Sequence, residues 1–492
     1  MRASRQKKPR QPKRVSLRAR ISGHVRLEVD ASGKAIALFE GYGIGLGTLS
    51  AAATVRALEL RSGLSLESFA RGRVKTDKEI QLLVRRLAER GLLEYRFPRA
   101  RGAGDLIVIE PQMPDYWPQT PRLRDADRLV LSRFAYMRRR GNDMVLESPR
   151  ADALFKILDA KVVAAIALLS TPQKVRQLRR HDAFHRMELL ALLLHSQILL
   201  KVDKGDGLRP AEGDSDLVLW DFHDLLFHAR STQGRHANPA GGVYPHDGIT
   251  PQLPPVRPLW PGEKIDLGRF PSAHAATSSP LAKLLRERHS TRSFDDQRPI
   301  AFAELAQFLD DTARVLARGR SSIDDAESSP VLEYAVRPYP SAGASYELEL
   351  YLAVDKCEGL ERGMYHYDAE GHVLVRIATR APYFDALLRE AQFAMGVSAT
   401  PQIVITITAR FGRVSWKYSS IAYSLILKDV GVLLQTFYLE AAALGLGGCA
   451  VGTTDIELFA KMTGLAFHAE GPVGQFVLGR GAKSEGLSPA HE

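Results

Sequence analysis

At 492 residues the chain is long enough for about two to four domains, and its 45% apolar content supports packed cores rather than a disordered polymer. Its two cysteines, Cys357 and Cys449, lie far apart and outside any CxxC pair, which argues against a disulfide framework or a cysteine-based zinc site and fits a reducing cytoplasm. The net charge of +11 is mostly local, because residues 1–20 hold nine Lys and Arg and no acid and leave +2 on the rest.

The start of the chain therefore reads as a basic, disordered tail over residues 1–22. No early apolar run follows it, so neither a signal peptide nor a membrane span is expected. Residues 23–115 form a first module. GTLSAAATVRALEL and LSLESFARG read as short helices, and residues 76–90 as an amphipathic helix with Ile80, Leu83, Val84 and Leu87 on one face. Thr76 and Glu79 have the spacing of a capping box. LLEYRF (92–97) and LIVIE (106–110) read as a hairpin. Residues 120–205 show a similar but degenerate set of elements, with a hairpin turning near Gly141-Asn142-Asp143, then helices over 160–200 and a strand ending at Lys201. Helices beside a hairpin suggest two winged-helix-like modules. Arg85, Arg86 and Arg90 are available for DNA; the alternative is an exposed strand edge that grips an acidic peptide.

Residues 206–278 read as a Pro/Gly-rich connection. Its His223, His228 and His236 lack the i, i+4 spacing and partner ligands of a metal site, so no metal is expected.

Residues 279–485 read as an α+β domain. LAKLLRERHSTRSF (281–294) reads as a helix ending in Arg286, Arg288, Ser290 and Arg292, a set that can hold a phosphate or simply complement the helix dipole. Residues 341–344, Ser341, Ala342, Gly343 and Ala344, form a loop of small residues before an alternating strand. PQIVITITAR and PVGQFVLGRG read as strands, the second ending in Arg480, another cation for a phosphate. Between them a helix apolar on almost every side is expected from about Ser419 to Leu444, buried all round, with Ser419 or Ser420 as N-cap. Lys417 and Tyr418 stand at its entrance, able to donate and accept protons; the plain alternative is a snorkelling lysine beside a boundary tyrosine. The glycines of ALGLGGCAVG follow a helix instead of opening one, which excludes a Rossmann fingerprint.

Together these pieces resemble the flavin-dependent nitroreductase superfamily. The run Arg288-His289-Ser290-Thr291-Arg292 looks like its FMN-phosphate motif, ALGLGGCAVG like its segment along the flavin, and VLGRG like its final phosphate contact. FAYMRRRGNDMVLESPRA, LWDFHDLLFHARST, RPYPSAGASYELELYL and WKYSSIAYSLILKDVGVLLQTFYL resemble the SagB-type thiazole/oxazole-forming peptide dehydrogenases, including cyanobactin oxidases, over about residues 125–485. The resemblance implies FMN at the interface of a homodimer and a catalytic pair at Lys417 and Tyr418. It also implies phosphate contacts from Arg288, His289, Ser290, Arg292 and Arg480. The flavin would be lined by residues 341–344 together with Ala450, Val451 and Gly452. The implied reaction oxidises azoline rings to azoles in a ribosomally made precursor peptide. A cyclodehydratase partner is implied too, and the N-terminal modules become leader-peptide readers in preference to nucleic-acid binders. The alternatives are a general NAD(P)H-dependent FMN reductase and a winged-helix regulator.

Overall fold

The computed structural model describes residues 17–482, apart from 40–41, 100–103, 114, 185, 203–211, 238–240, 243, 260, 268–278 and 323–330. The chain divides into two units, the first comprising Met1–Val218, Leu225–Arg230 and Gly234–Asn238, the second the remainder.

The first unit begins with strands β1 (Arg18–Ile21), β2 (Arg26–Val29), β3 (Lys34–Phe39) and β4 (Tyr42–Thr48). Helix α1 (Ala51–Leu58), β5 (Leu64–Ser65), α2 (Lys75–Ala88), β6 (Leu93–Pro98) and β7 (Asp105–Pro111) follow. The hairpin expected over 92–110 is the antiparallel pair β6–β7. β8 (Arg128–Leu131), β9 (Tyr136–Arg140), β10 (Asp143–Glu147) and β11 (Ala153–Ile157) come next. The unit then continues through α3 (Ala160–Ile166), β12 (Gln173–Lys174), α4 (Val175–Leu178), α5 (Met187–His195) and β13 (Leu199–Lys201). One seven-stranded sheet, β5-β1-β6-β7-β11-β10-β9, joins residues from both expected modules, and β12-β8-β13 and β2-β3-β4 form smaller sheets. Its core runs from Ala19 to Leu199 and includes Phe69, Tyr95, Phe155 and Phe184.

Two expectations fail here. Residues 18–21 are not tail but strand β1, paired with β5 and β6, because RARI alternates and buries Ala19 and Ile21; residues 1–16 lie outside the described residues. Thr76 and Glu79 form no capping box. Helix α2 starts one residue earlier, capped by Val74 without a side-chain bond, and Glu79 instead accepts the N–H and hydroxyl of Ser50, 2.9 and 2.7 Å away.

Helix α6 (Phe222–Ser231) has residues in each unit. The second unit continues with α7 (Pro280–Glu287), α8 (Phe302–Ala313), β14 (Ala317–Ser322) and β15 (Val331–Val336). Next come β16 (Leu348–Val354), β17 (Gly363–Asp368), β18 (Val373–Ile377), α9 (Ala381–Met395), β19 (Ile403–Arg410) and α10 (Gly412–Ser415). The unit closes with α11 (Ala422–Ala443), β20 (Gly447–Val451), α12 (Ile456–Thr463) and β21 (Glu470–Gly479). Its sheet runs β18-β17-β16-β19-β21-β20 with antiparallel neighbours, consistent with the rejection of a Rossmann fingerprint. β19 is β-branched and buried on both faces.

Helix α7 is shorter than expected. It ends at Glu287, and Arg288 to Arg292 continue without helix, so that the Thr291 N–H donates to the Gly448 carbonyl at 2.8 Å. Helix α11 also departs from expectation. Within this chain it buries one stripe, Ala422, Ile426, Asp429, Val430, Leu433, Phe437 and Ala441, while Leu425, Val432, Leu434 and Leu439 stay half-buried. Neither Ser419 nor Ser420 caps it. Ile421 is the cap residue, without a side-chain bond, and Ser420 before it takes a left-handed φ of 63°.

Candidate functional site

Two clusters of the expected residues form in the second unit. The first begins at α10, a single turn whose Val414 carbonyl accepts the N–H groups of Lys417 and Tyr418 at 3.0 and 2.9 Å. Arg413 on that turn donates to the Ser345 carbonyl through Nε and Nη2, at 3.1 and 2.9 Å, and so ties α10 to the 341–345 turn. That turn is conformationally demanding: Gly343, Ala344 and Tyr346 have φ of 57°, 54° and 44°. A non-glycine residue costs roughly 1 kcal/mol or more in this region, so surrounding bonds must hold it. Asp429 of α11 accepts the Ala342 N–H at 2.8 Å and the Ser341 hydroxyl at 3.0 Å, and Ser341 Oγ accepts the Tyr346 N–H at 3.0 Å.

Lys417 and Tyr418 close on this turn. Lys417 Nζ donates to the Gly343 carbonyl at 3.3 Å and sits 5.3 Å from the Tyr418 ring centre. A methyl group on Gly343 would overlap the Tyr418 hydroxyl and lie 2.6 Å from Lys417 Nζ, so glycine is required for the approach. Ser341, Ala342, Gly343, Ala344, Lys417 and Tyr418 are thus one constellation. Lys417 is exposed and Tyr418 half-buried in the chain, so a lysine desolvated by this chain alone is not what the fold provides. The constellation borders an open cavity of about 640 Å³ walled by Tyr334, Arg413, Trp416 and Lys417.

The second cluster gathers around Tyr438, near the other end of α11. Its hydroxyl bonds Ser290 Oγ at 2.8 Å and accepts the Ala450 N–H at 2.8 Å, and the Arg288 guanidinium lies 5.1 Å from its ring centre. Burial raises the Cys449 thiol's pKa, while neighbouring Arg292 and Ser290 lower it. Arg288 and Arg292 have no carboxylate partner among the described residues, so their charge is available to an anion. His289 is exposed, with Nδ1 3.0 Å from the Glu287 carbonyl. Gly452 is exposed and Val451 buried in β20.

Arg480 is tied down differently. Its Nη2 pairs with both carboxylate oxygens of Glu304 at 2.7 and 2.5 Å. Its backbone N–H donates to Gln402 Oε1 at 3.0 Å, which also takes the Ile300 N–H, while Gln402 Nε2 donates to the Asp295 carbonyl. Arg480 is therefore beside the segment after Arg292 but already engaged.

Among the described residues no hydrogen bond or ion pair joins the two clusters. Asp429 and Tyr438 are nine residues apart, about 14 Å along the helix axis and, at about 100° per residue, on opposite faces. Sequence reasoning missed Asp429, Glu347, Tyr438 and Gln402 as supports. A lone aspartate in an apolar helix was a usable signal for Asp429; the others depend on tertiary contacts.

Residues 285–480 match the nitroreductase family model, so the second unit carries a nitroreductase-family domain, a fold of oxidoreductases. Residues 129–237 match the model of the cyanobactin oxidase ThcOx. A protein of Methanocaldococcus jannaschii described as a nitroreductase is 35% identical over 120 residues, 24% of this chain and 60% of that relative's length. Among solved structures, the Escherichia coli microcin synthetase McbBCD complex with truncated pro-MccB17 bound is 20% identical over 57% of this chain and 100% of that one, with a TM-score of 0.39. A nitroreductase from Ralstonia eutropha is 22% identical over 47% of this chain and 100% of its own, with a TM-score of 0.33. No helix among the described residues is long and apolar enough to cross a membrane.

Proposed function

We propose that the chain is an FMN-dependent dehydrogenase that oxidises thiazoline or oxazoline rings to azoles in a ribosomally made peptide. The observation that carries this reading is the closure of Lys417 and Tyr418 on the 341–344 turn beside an open cavity. The matches of residues 129–237 and 285–480 to the cyanobactin oxidase and nitroreductase models support it.

Azoline oxidation removes a hydride and a proton from the ring. Bound FMN would accept the hydride and pass the electrons to dioxygen. The proton goes to the pair formed by Tyr418 Oη and Lys417 Nζ, positioned by the Val414 and Gly343 carbonyls. The residues present fit a flavin phosphate: two guanidinium groups, Arg288 and Arg292, flank the Ser290 hydroxyl without a carboxylate to neutralise them. Arg480 contributes the N–H groups that Glu304 leaves free. The backbone of residues 341–344 and 450–452 lines the ring.

Since the clusters sit on opposite faces of α11, the site is completed by a second copy of the chain. The half-buried Leu425, Val432, Leu434 and Leu439 favour such a homodimer. Residues 23–115 and 120–205 act as winged-helix-like modules that hold the leader of the peptide. β9, YMRRR, ends the seven-stranded sheet with Met137, Arg138 and Arg139 exposed, which suits strand addition by an acidic segment. A cyclodehydratase supplies the azolines in the cytoplasm.

Tyr418→Phe tests the proton assignment. It should leave bound flavin unchanged, read by absorbance, while slowing azole formation by about a hundredfold or more; wild-type turnover would remove Tyr418 from the reaction.

A further inference from the structure

Behind the 341–344 turn lies a pair of buried carboxyl groups that the proposed reaction does not use. Glu347 is fully buried just before β16 and Asp429 is nearly so on α11. Both meet at one hydroxyl: Ser341 Oγ is 3.2 Å from Glu347 Oε2 and 3.0 Å from Asp429 Oδ2. That hydroxyl has a single hydrogen, and its lone pair already accepts the Tyr346 N–H. Two carboxylates cannot both be satisfied by one hydrogen, so one of the pair must bring its own. Asp429 Oδ2 also accepts the Ala342 N–H, which leaves the proton to Glu347. The other Glu347 oxygen, Oε1, is buried with no hydrogen-bond partner among the described residues, a state far cheaper for a neutral carboxyl than for an anion.

We propose that Glu347 and Asp429 share one proton through the Ser341 hydroxyl and thereby lock the 341–344 turn beneath Lys417 and Tyr418, Glu347 acting as a positioning residue. The lock explains how Gly343, Ala344 and Tyr346 stay left-handed: the Ala342 and Tyr346 N–H groups both end on this cluster. Its consequence for azoline oxidation rests on the reading of Lys417 and Tyr418 above; the lock itself does not.

Burial, and then the charge of Asp429, push the Glu347 carboxyl up to about 7. The other ionisable groups around the cluster are Tyr339, Tyr346, Arg337 and Glu349 on the flanking chain, Arg413 on the Ser345 carbonyl, Arg410, whose N–H bonds the Glu347 carbonyl, and Lys417 on the Gly343 carbonyl. Deprotonation near neutrality would set two anions on one hydroxyl and release the turn.

Amide hydrogen exchange of the full chain, followed by mass spectrometry on peptides spanning 340–347 and corrected for the intrinsic pH dependence of exchange, tests this. Exchange in the wild type should rise by about tenfold as pH passes through about 7. Glu347→Gln, which keeps a donor and cannot ionise, should remain protected throughout. Asp429→Asn should shift the transition to lower pH, because the charge that raises Glu347 is gone, and it serves if the Glu347 variant does not fold. A flat wild-type profile, a Glu347→Gln profile like the wild type, or an unmoved midpoint in Asp429→Asn would overturn the lock. Flavin absorbance separates the two readings. A pH-sensitive turn in a protein that binds no FMN would keep the lock and overturn the cofactor reading. A pH-flat turn in an FMN-loaded protein would do the reverse.

Discussion

Replacing Gly343 by alanine probes the contact on which the proposed chemistry depends. At φ of 57° an alanine pays roughly 1–2 kcal/mol of backbone strain. Its methyl would also overlap the Tyr418 hydroxyl and sit 2.6 Å from Lys417 Nζ, where ordinary contact begins at 3.4 Å. The lysine can swing its flexible end aside. The tyrosine ring has only two side-chain torsions, so it must rotate away by about 1 Å, a displacement worth about a hundredfold in rate when it falls on a reacting group. The melting transition should drop by a few degrees, on the scale of about 2–4 °C per kcal/mol for a unit of this size. Bound flavin should remain, because the added methyl points at Tyr418 and Lys417 and leaves Arg288, Ser290 and Arg292 untouched. Turnover of an azoline peptide should fall by about two orders of magnitude. Gly23→Ala, where a methyl meets open space, is the control and should change neither. A Gly343→Ala protein with wild-type melting and wild-type turnover would refute both the strain and the placement of the pair.

Arg288→Ala should lose most bound FMN while the protein stays folded, since Arg288 is half-exposed and its guanidinium lies over the Tyr438 ring; full flavin content by absorbance would remove it from the phosphate site. Gly448→Ala should destabilise strongly, by about 3 kcal/mol or more in denaturant titration, because its methyl would collide with the fully buried Phe476 ring, 2.6 Å from Cε1. Glu347→Gln should change the pH dependence of stability. The folded wild type holds the Glu347 proton up to about 7, whereas an ordinary glutamate releases it near 4.5. The native state therefore binds the extra proton between those values, and wild-type stability falls as pH rises through them. The variant lacks this slope and should gain on the wild type by up to about 3 kcal/mol at pH 8, with equality near pH 4; parallel curves in urea titrations would contradict the assignment.

Local pattern revealed much of the fold. The alternation of LLEYRF and LIVIE, the β-branched run at 403–410 and the apolar stretch at 422–443 are each visible in one segment and appear as β6, β7, β19 and α11. What failed required tertiary context. Glu79 has the spacing of a capping box but is claimed by Ser50, 29 residues away. The first strand hides in a basic run, because only its alternate residues, Ala19 and Ile21, are apolar. The all-round apolarity of α11 suggested complete burial, yet one chain covers only one stripe of it. The candidate site was legible as residue types, since the 341–344 turn and the Lys-Tyr pair stand out as motifs. Of their supports, Asp429 stands out as an aspartate in an apolar helix, whereas Glu347 and Tyr438 are ordinary in sequence; all three acquire meaning through partners 6 to 148 residues distant.

The most direct test is mass spectrometry of an azoline-containing peptide incubated with the purified, FMN-loaded protein under air. Loss of two hydrogens for each ring, abolished in Lys417→Ala, is the expected result. An unchanged peptide, from a flavin-loaded protein that rapidly oxidises NADH, would contradict the account and make the chain a general flavin reductase.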